Sequence, residues 1–216
     1  LWILRKGDTL EIGRAEISLN DGRLILKDEH VKRSILTDAE EVEVRPHPPV
    51  NVPSRVTDYL MIRMREGIVP ADGQELWLSA PYDLGISLDG EIVGFLSPFR
   101  VKYSLYGPTT EGVVCRYHES PVSRAPQQGI DAKVKVIFKV ESPREVDRIV
   151  IPVNELDIFL RNEDGAIYYE VVEVTVGDDL YVELKNEPPV EADLVYPPVK
   201  SVDLIQRIAS GYRMVW

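Results

Sequence analysis

The feature that most constrains this chain is a two-residue alternation of apolar and polar side chains, repeated in short runs that Gly, Pro and Asp close off. In Lys133-Val134-Lys135-Val136-Ile137-Phe138-Lys139-Val140 every even position is apolar, while Lys133, Lys135 and Lys139 fall on the other side. Successive strand side chains point to opposite faces, so the pattern predicts an antiparallel strand with one face buried and one in water. Leu180 to Lys185 repeats it, as do Leu60, Ile62 and Met64 against Arg63 and Arg65. Asp-Gly supplies the positive φ angles of tight reversals. It occurs at Asp21-Gly22, Asp72-Gly73, Asp89-Gly90 and Asp164-Gly165, three times between strand-like runs, and is read as hairpin turns. Short strands about every ten residues, punctuated in this way, predict an all-β fold, mainly antiparallel, of one or two β-sandwich-like units.

Proline divides the runs, because it cannot sit in a central ladder and pushes its predecessor to extended geometry. The breaks at 46–53, 120–129 and 187–198 mark off four blocks. These are N-terminal strands (1–46) packing on a central β unit (47–125), an acidic β-sandwich unit (130–196), and a C-terminal helix with an aromatic tail (197–216). Ser201 as cap, Val202, Ile205 and Ile208 at helical spacing, and Gly211 as stop predict that helix. The orders of runs in 60–96 and 134–174 echo one another, each with a Pro before an apolar run and a closing Asp-Gly.

Charge and cysteine narrow the chemistry. The 216 residues carry 25 Lys plus Arg against 36 Asp plus Glu, a formal charge of -11, which argues against a general nucleic-acid binder. The charge is uneven: residues 131–196 hold 16 acidic and 7 basic side chains, a net -9. Cys115 is the only cysteine, so no intramolecular disulfide and no multi-cysteine zinc site can form, which fits a cytoplasmic setting. Nine Asn plus Gln is a depletion of heat-labile residues expected of a thermophile. No apolar run reaches the ~20 residues of a membrane-spanning helix.

The densest polar and aromatic stretch, Tyr103 to Glu119, supplies the candidate binding residues: Tyr103, Tyr106, Arg116, Tyr117 and His118. A Cys115 nucleophile with His118 as base is disfavoured by alternation, which sends the two side chains to opposite faces. The three histidines, His30, His47 and His118, form no close-spaced ligand pair, no carboxylate pair stands out, and no phosphate loop, dinucleotide fingerprint or Gly-x-Ser-x-Gly elbow is present. No catalytic residue, cofactor or metal is therefore assigned. Tyr59, Tyr82 and Trp77 are read with the other aromatics as core filling or as a docking face.

The runs Val50-Asn51-Val52-Pro53, Thr57-Asp58-Tyr59-Leu60-Met61-Ile62, Ala80-Pro81-Tyr82-Asp83-Leu84-Gly85-Ile86, Tyr103-Ser104-Leu105-Tyr106-Gly107 and Gly112-Val113-Val114-Cys115-Arg116-Tyr117 resemble the archaeal family called domain of unknown function 432. The likeness covers most of the chain and is densest from 46 to 120. It implies an archaeal, mainly β protein with no assigned activity and no site residues to carry over. Two functions stand. The first is a non-enzymatic binding or assembly module for a protein partner or a second copy of the chain. The alternative is a hydrolase of a small or carbohydrate-like substrate with its site near Tyr106, Arg116 and His118.

Overall fold

A computed structural model describes residues 1–29, 32–50, 58–107 and 112–195. They form nineteen strands, numbered here in chain order, and no helix. The helix expected within 197–216 lies outside the described residues. One four-stranded sheet has the order β1 (Trp2–Arg5), β6 (Glu41–His47), β9 (Asp83–Leu88), β10 (Glu91–Leu96). A second is the meander β2 (Thr9–Ile12), β3 (Ala15–Asn20), β4 (Arg23–Lys27), β5 (Lys32–Leu36). The third runs β11 (Tyr103–Tyr106), β12 (Val113–Ser120), β7 (Tyr59–Ile68), β14 (Val146–Pro152). The seven-stranded fourth has β18 (Leu180–Leu184), β17 (Val172–Val176), β13 (Ala132–Val140), β16 (Ile167–Tyr169), β15 (Ile158–Leu160) and β19 (Asp193–Leu194), with β8 (Glu75–Ala80) also on β13.

Pairing is mainly antiparallel, with parallel contacts confined to β12–β7, β13–β16 and β13–β17. Asp21-Gly22 and Asp89-Gly90 close two-residue hairpins, β3–β4 and β9–β10. Asp89 and Gly90 both have positive φ, 51° and 83°, as a mirror-image turn requires. Asp72-Gly73 differs: it turns the chain between β7 and β8, which do not pair. The Gly73 amide instead donates to Phe138 O at 2.8 Å, so this turn docks on β13.

Strand pairing crosses the proline breaks. β6 joins β9, β7 joins β14 and β8 joins β13. One connectivity occurs twice, since β7 pairs antiparallel with β14 and parallel with β12, while β13 pairs antiparallel with β8 and parallel with β17. The first strand of each echoing segment thus takes the second strand of the other as its neighbour.

Alternation places the core. Leu60, Ile62 and Met64 pack in one cluster with Val134, Val136, Phe138, Ile149 and Ile151, all buried. Each such burial is worth about 1.5–3 kcal/mol. The lysine face of β13 departs from expectation. Lys139 is exposed and Lys135 half-buried, but Lys133 is only 7% exposed. At that point β13 has Ser79 of β8 on one edge and Tyr168 of β16 on the other, so the strand is central to its sheet.

Candidate functional site

The five residues singled out in the sequence separate into three environments. Arg116 is buried at 2% exposure. Its Nη2 donates to Asp83 Oδ1 and to Ser97 Oγ, both at 2.9 Å, and its Nη1 to Asp83 Oδ2 at 3.3 Å. Asp83 Oδ2 also accepts the Val50 amide at 2.7 Å. Burial works against the Arg116 charge, but the adjacent Asp83 carboxylate outweighs it and holds the guanidinium firmly protonated. This pair fastens β12 of the third sheet to β9 of the first, with both terminal nitrogens of the guanidinium engaged.

Tyr103 and Tyr106 lie on β11, the outer strand of its sheet, and are 46% and 40% exposed, with Leu105 beside them at 41%. Tyr117 is half-buried, and its hydroxyl donates to Glu119 Oε1 at 2.7 Å. Glu119 stands among Lys102, Arg63 and Arg65, and its carboxyl is held below the usual range, first by the Tyr117 hydrogen bond. Other aromatics divide in the same way: Tyr82 is buried edge-on to Phe99 at 5.3 Å, whereas Tyr59 is exposed.

Of the five, only His118 lines the cavity of about 280 Å³ between β8, β12 and β13 and the 121–131 loop. Backbone hydrogen bonds in both directions between Trp77 and Ser123, at 2.8 and 3.1 Å, pin that loop to β8. The wall includes Arg65, Ser79, Gln127, Gln128, Asp131 and Lys133. His118 Nε2 lies 3.2 Å from Ser79 Oγ and 3.8 Å from Asp131 Oδ1. Burial pulls the imidazole below its ordinary pKa despite the opposing Asp131 carboxylate. Lys133 Nζ donates to Gly129 O and Asp131 O, both at 2.8 Å, and burial lowers its pKa too.

The hydrogen-bond geometry decides what this group can do. Ser120 Oγ gives its proton to Pro121 O at 2.7 Å and accepts from Ser79 N, at 2.7 Å. The single Ser79 Oγ proton goes either to Ser120 Oγ, at 3.3 Å, or to His118 Nε2, at 3.2 Å, according to the imidazole tautomer. Nucleophile activation needs the imidazole to take the serine proton while a carboxylate holds the opposite ring nitrogen. Asp131 approaches the same nitrogen as Ser79. Cys115 is no substitute: it is buried, bonds Val113 O at 3.6 Å, and burial pushes its thiol up to about 11.

Sequence reasoning missed Ser79, Asp131, Lys133 and Arg65, because alternation put Lys133 in water and the 120–129 segment read as linker. Among the described residues, His47 packs edge-on to Phe95 at 5.0 Å, and no three His, Cys, Asp or Glu side chains are grouped to share a metal ion. No helix of the described residues is long and apolar enough to cross a membrane.

Fold and cavity together define an all-β protein with a polar pocket built on the central strand of a mixed sheet. The chain belongs to the family described as protein of unknown function (DUF432), whose model matches residues 2–209. No curated protein and no solved structure matches it.

Proposed function

We propose that the protein is a non-enzymatic binding module whose pocket beside His118 and Lys133 takes up a small polar ligand. One observation carries the reading: a pocket of about 280 Å³ lined by hydrogen-bonding groups holds a nearly buried lysine, while Asp131 approaches the same His118 nitrogen as Ser79 and so does not complete a nucleophile-activating relay. Pockets with a few convergent polar groups are where small ligands bind. The hydrolase alternative loses its support where Arg116 is spent on Asp83 and Tyr106 is absent from the pocket wall. An archaeal, thermophilic, cytoplasmic setting belongs to this reading, supported by a single cysteine and nine Asn plus Gln. Amide shifts measured by NMR during titration with small anions and polyols test the function. Saturable shifts at Ser79, His118 and Gly129 without turnover of the ligand are expected; silent pocket amides across the panel overturn it.

A second reading, assembly with another copy of the chain, rests on a separate observation. Among the described residues β11 pairs only with β12, leaving a strand edge beside exposed Tyr103, Leu105 and Tyr106. Unpaired edges bearing apolar side chains template further pairing. Light scattering is expected to find an oligomer that Leu105→Lys converts to monomer; a wild-type monomer across the concentration range refutes it.

A further inference from the structure

We infer that the pocket beside β13 is a site for a small oxyanion, of the carboxylate or phosphate class, seated on Lys133 Nζ with Arg65 at its rim. The inference rests on reading the pocket as the binding site and adds the chemistry of its occupant. Lys133 is the reason. The residue is only 7% exposed, yet two of the three N–H groups of its ammonium are served by neutral carbonyls, Gly129 O and Asp131 O. No carboxylate of the described residues lies within ion-pair distance of it. Asp131 and Asp164 offset its burial only in part, so a buried charge without a contacting counter-charge remains costly, and a bound anion lowers that cost.

The remaining donors fit the same occupant. Arg65 is exposed and makes no hydrogen bond or ion pair among the described residues; nor do the carboxamides of Gln127 and Gln128. A guanidinium and an ammonium aimed at one space are the usual means of holding carboxylate or phosphate oxygens. The two acids of the wall are already engaged: Glu119 accepts the Tyr117 hydroxyl amid Lys102, Arg63 and Arg65, and Asp131 stands against His118. A neutral polyol would leave the lysine uncompensated, and a cation would meet Lys133 and Arg65.

Occupancy by an anion carries a proton with it. Burial keeps His118 below its ordinary pKa, with Asp131 and Glu119 opposing and Lys102 and Arg116 reinforcing. Burial acts on Lys133 in the same sense, with Asp131 and Asp164 opposing and Arg161 reinforcing. A negative charge in the pocket raises both. Binding therefore takes up protons, and affinity increases as pH falls toward the ordinary histidine range near about 6.5.

Isothermal calorimetry on the full chain tests this with sulfate, acetate and erythritol at matched ionic strength. Sulfate keeps its charge near neutral pH, so proton uptake reports on the protein. Expected are saturable binding of both anions, a heat that varies with the buffer's ionisation enthalpy in the sense of proton uptake, and no binding of erythritol. Lys133→Met is expected to weaken sulfate by roughly tenfold, the loss of one charge-assisted hydrogen bond. Arg65→Gln, on an exposed side chain that cannot unfold the sheet, gives a smaller loss and serves alone if the Lys133 variant fails to fold. Erythritol binding without anion binding overturns the oxyanion inference but leaves the binding-module reading intact. No binding of any probe, with the pocket amides silent, overturns both. Anion binding that neither substitution weakens places the anion elsewhere and overturns the inference.

Discussion

Asp83→Asn is isosteric and isolates the electrostatics of the Arg116 pair. Asp83 accepts three hydrogen bonds in the wild type, at 2.7, 2.9 and 3.3 Å, and the Arg116 guanidinium facing it is nearly inaccessible to water. With its oxygen at the Oδ2 position the carboxamide keeps the Val50 amide and Nη1 but turns its NH₂ on Nη2; at the Oδ1 position it keeps Nη2 and faces the other two donors with its NH₂. In either orientation at least one hydrogen bond becomes a donor–donor contact and a cation is left buried without its counter-charge. Removing one partner of a buried pair costs about 3–5 kcal/mol. For a chain of this size that corresponds to a fall in Tm of roughly 6–20 °C, at 2–4 °C per kcal/mol. The assay is denaturant unfolding of wild type, Asp83→Asn, Arg116→Met and the double variant, read as a double-mutant cycle. The double variant should lose less than the sum of the singles, because neither charge is then left alone. A cost below about 1 kcal/mol for Asp83→Asn, or a coupling near zero, would refute the reasoning by showing the pair to be effectively solvated.

Gly13→Ala and Gly22→Ala separate crowding from conformation: both glycines have positive φ, +57° and +74°, but a Cβ at 13 would meet Pro98 O at 2.3 Å and one at 22 meets nothing. Unfolding curves should show about 1–2 kcal/mol lost at Gly22 and roughly 3 kcal/mol or more at Gly13. Cys115 should resist a thiol reagent at neutral pH in the folded protein and react stoichiometrically once denaturant is added; rapid native labelling would contradict its burial and its raised pKa. His47 and His118 both have folded pKa values lowered first by burial, so the unfolded chain takes up protons before the folded one as pH falls. Their contribution is complete above the ordinary histidine pKa of about 6.5 and is lost as pH drops below it. Replacing both by Gln should flatten the stability profile between about pH 7 and 5, and an unchanged profile would assign that slope to other groups.

The all-β class was legible because period two is a local property: Leu60, Ile62 and Met64 are buried and Arg63 and Arg65 exposed, as alternation alone requires. Three Asp-Gly reversals were legible for the same reason: Asp21-Gly22, Asp89-Gly90 and Asp164-Gly165, the last between the antiparallel β15 and β16. Asp72-Gly73 misled because a turn motif records a reversal and not which strand the chain meets next; the Gly73 amide donates to Phe138 O, 65 residues further along the chain. Lys133 was illegible for a related reason. Alternation marks a side chain as pointing away from one face, but what covers the other face decides whether it is wet, and here the 121–131 loop lies over it with the Gly129 and Asp131 carbonyls on Lys133. Opposite faces for Cys115 and His118 follow from the strand itself. The contacts of His118 with Ser79 and Asp131, and of Arg116 with Asp83, join segments far apart in sequence and leave no periodic trace.

The doubled exchange of neighbours has a consequence for how the chain must be made. β7 and β8 leave the ribosome before β14 and β13, the strands they pair with, have been synthesised. More than fifty residues separate each from that partner, so β8 waits with an open ladder edge and its apolar face uncovered. Long-range β pairing of this kind is intrinsically slow and exposed to aggregation. Truncation after residue 125 should therefore give an insoluble product rather than a smaller folded unit, and solubility is decided only as β13 and β14 emerge.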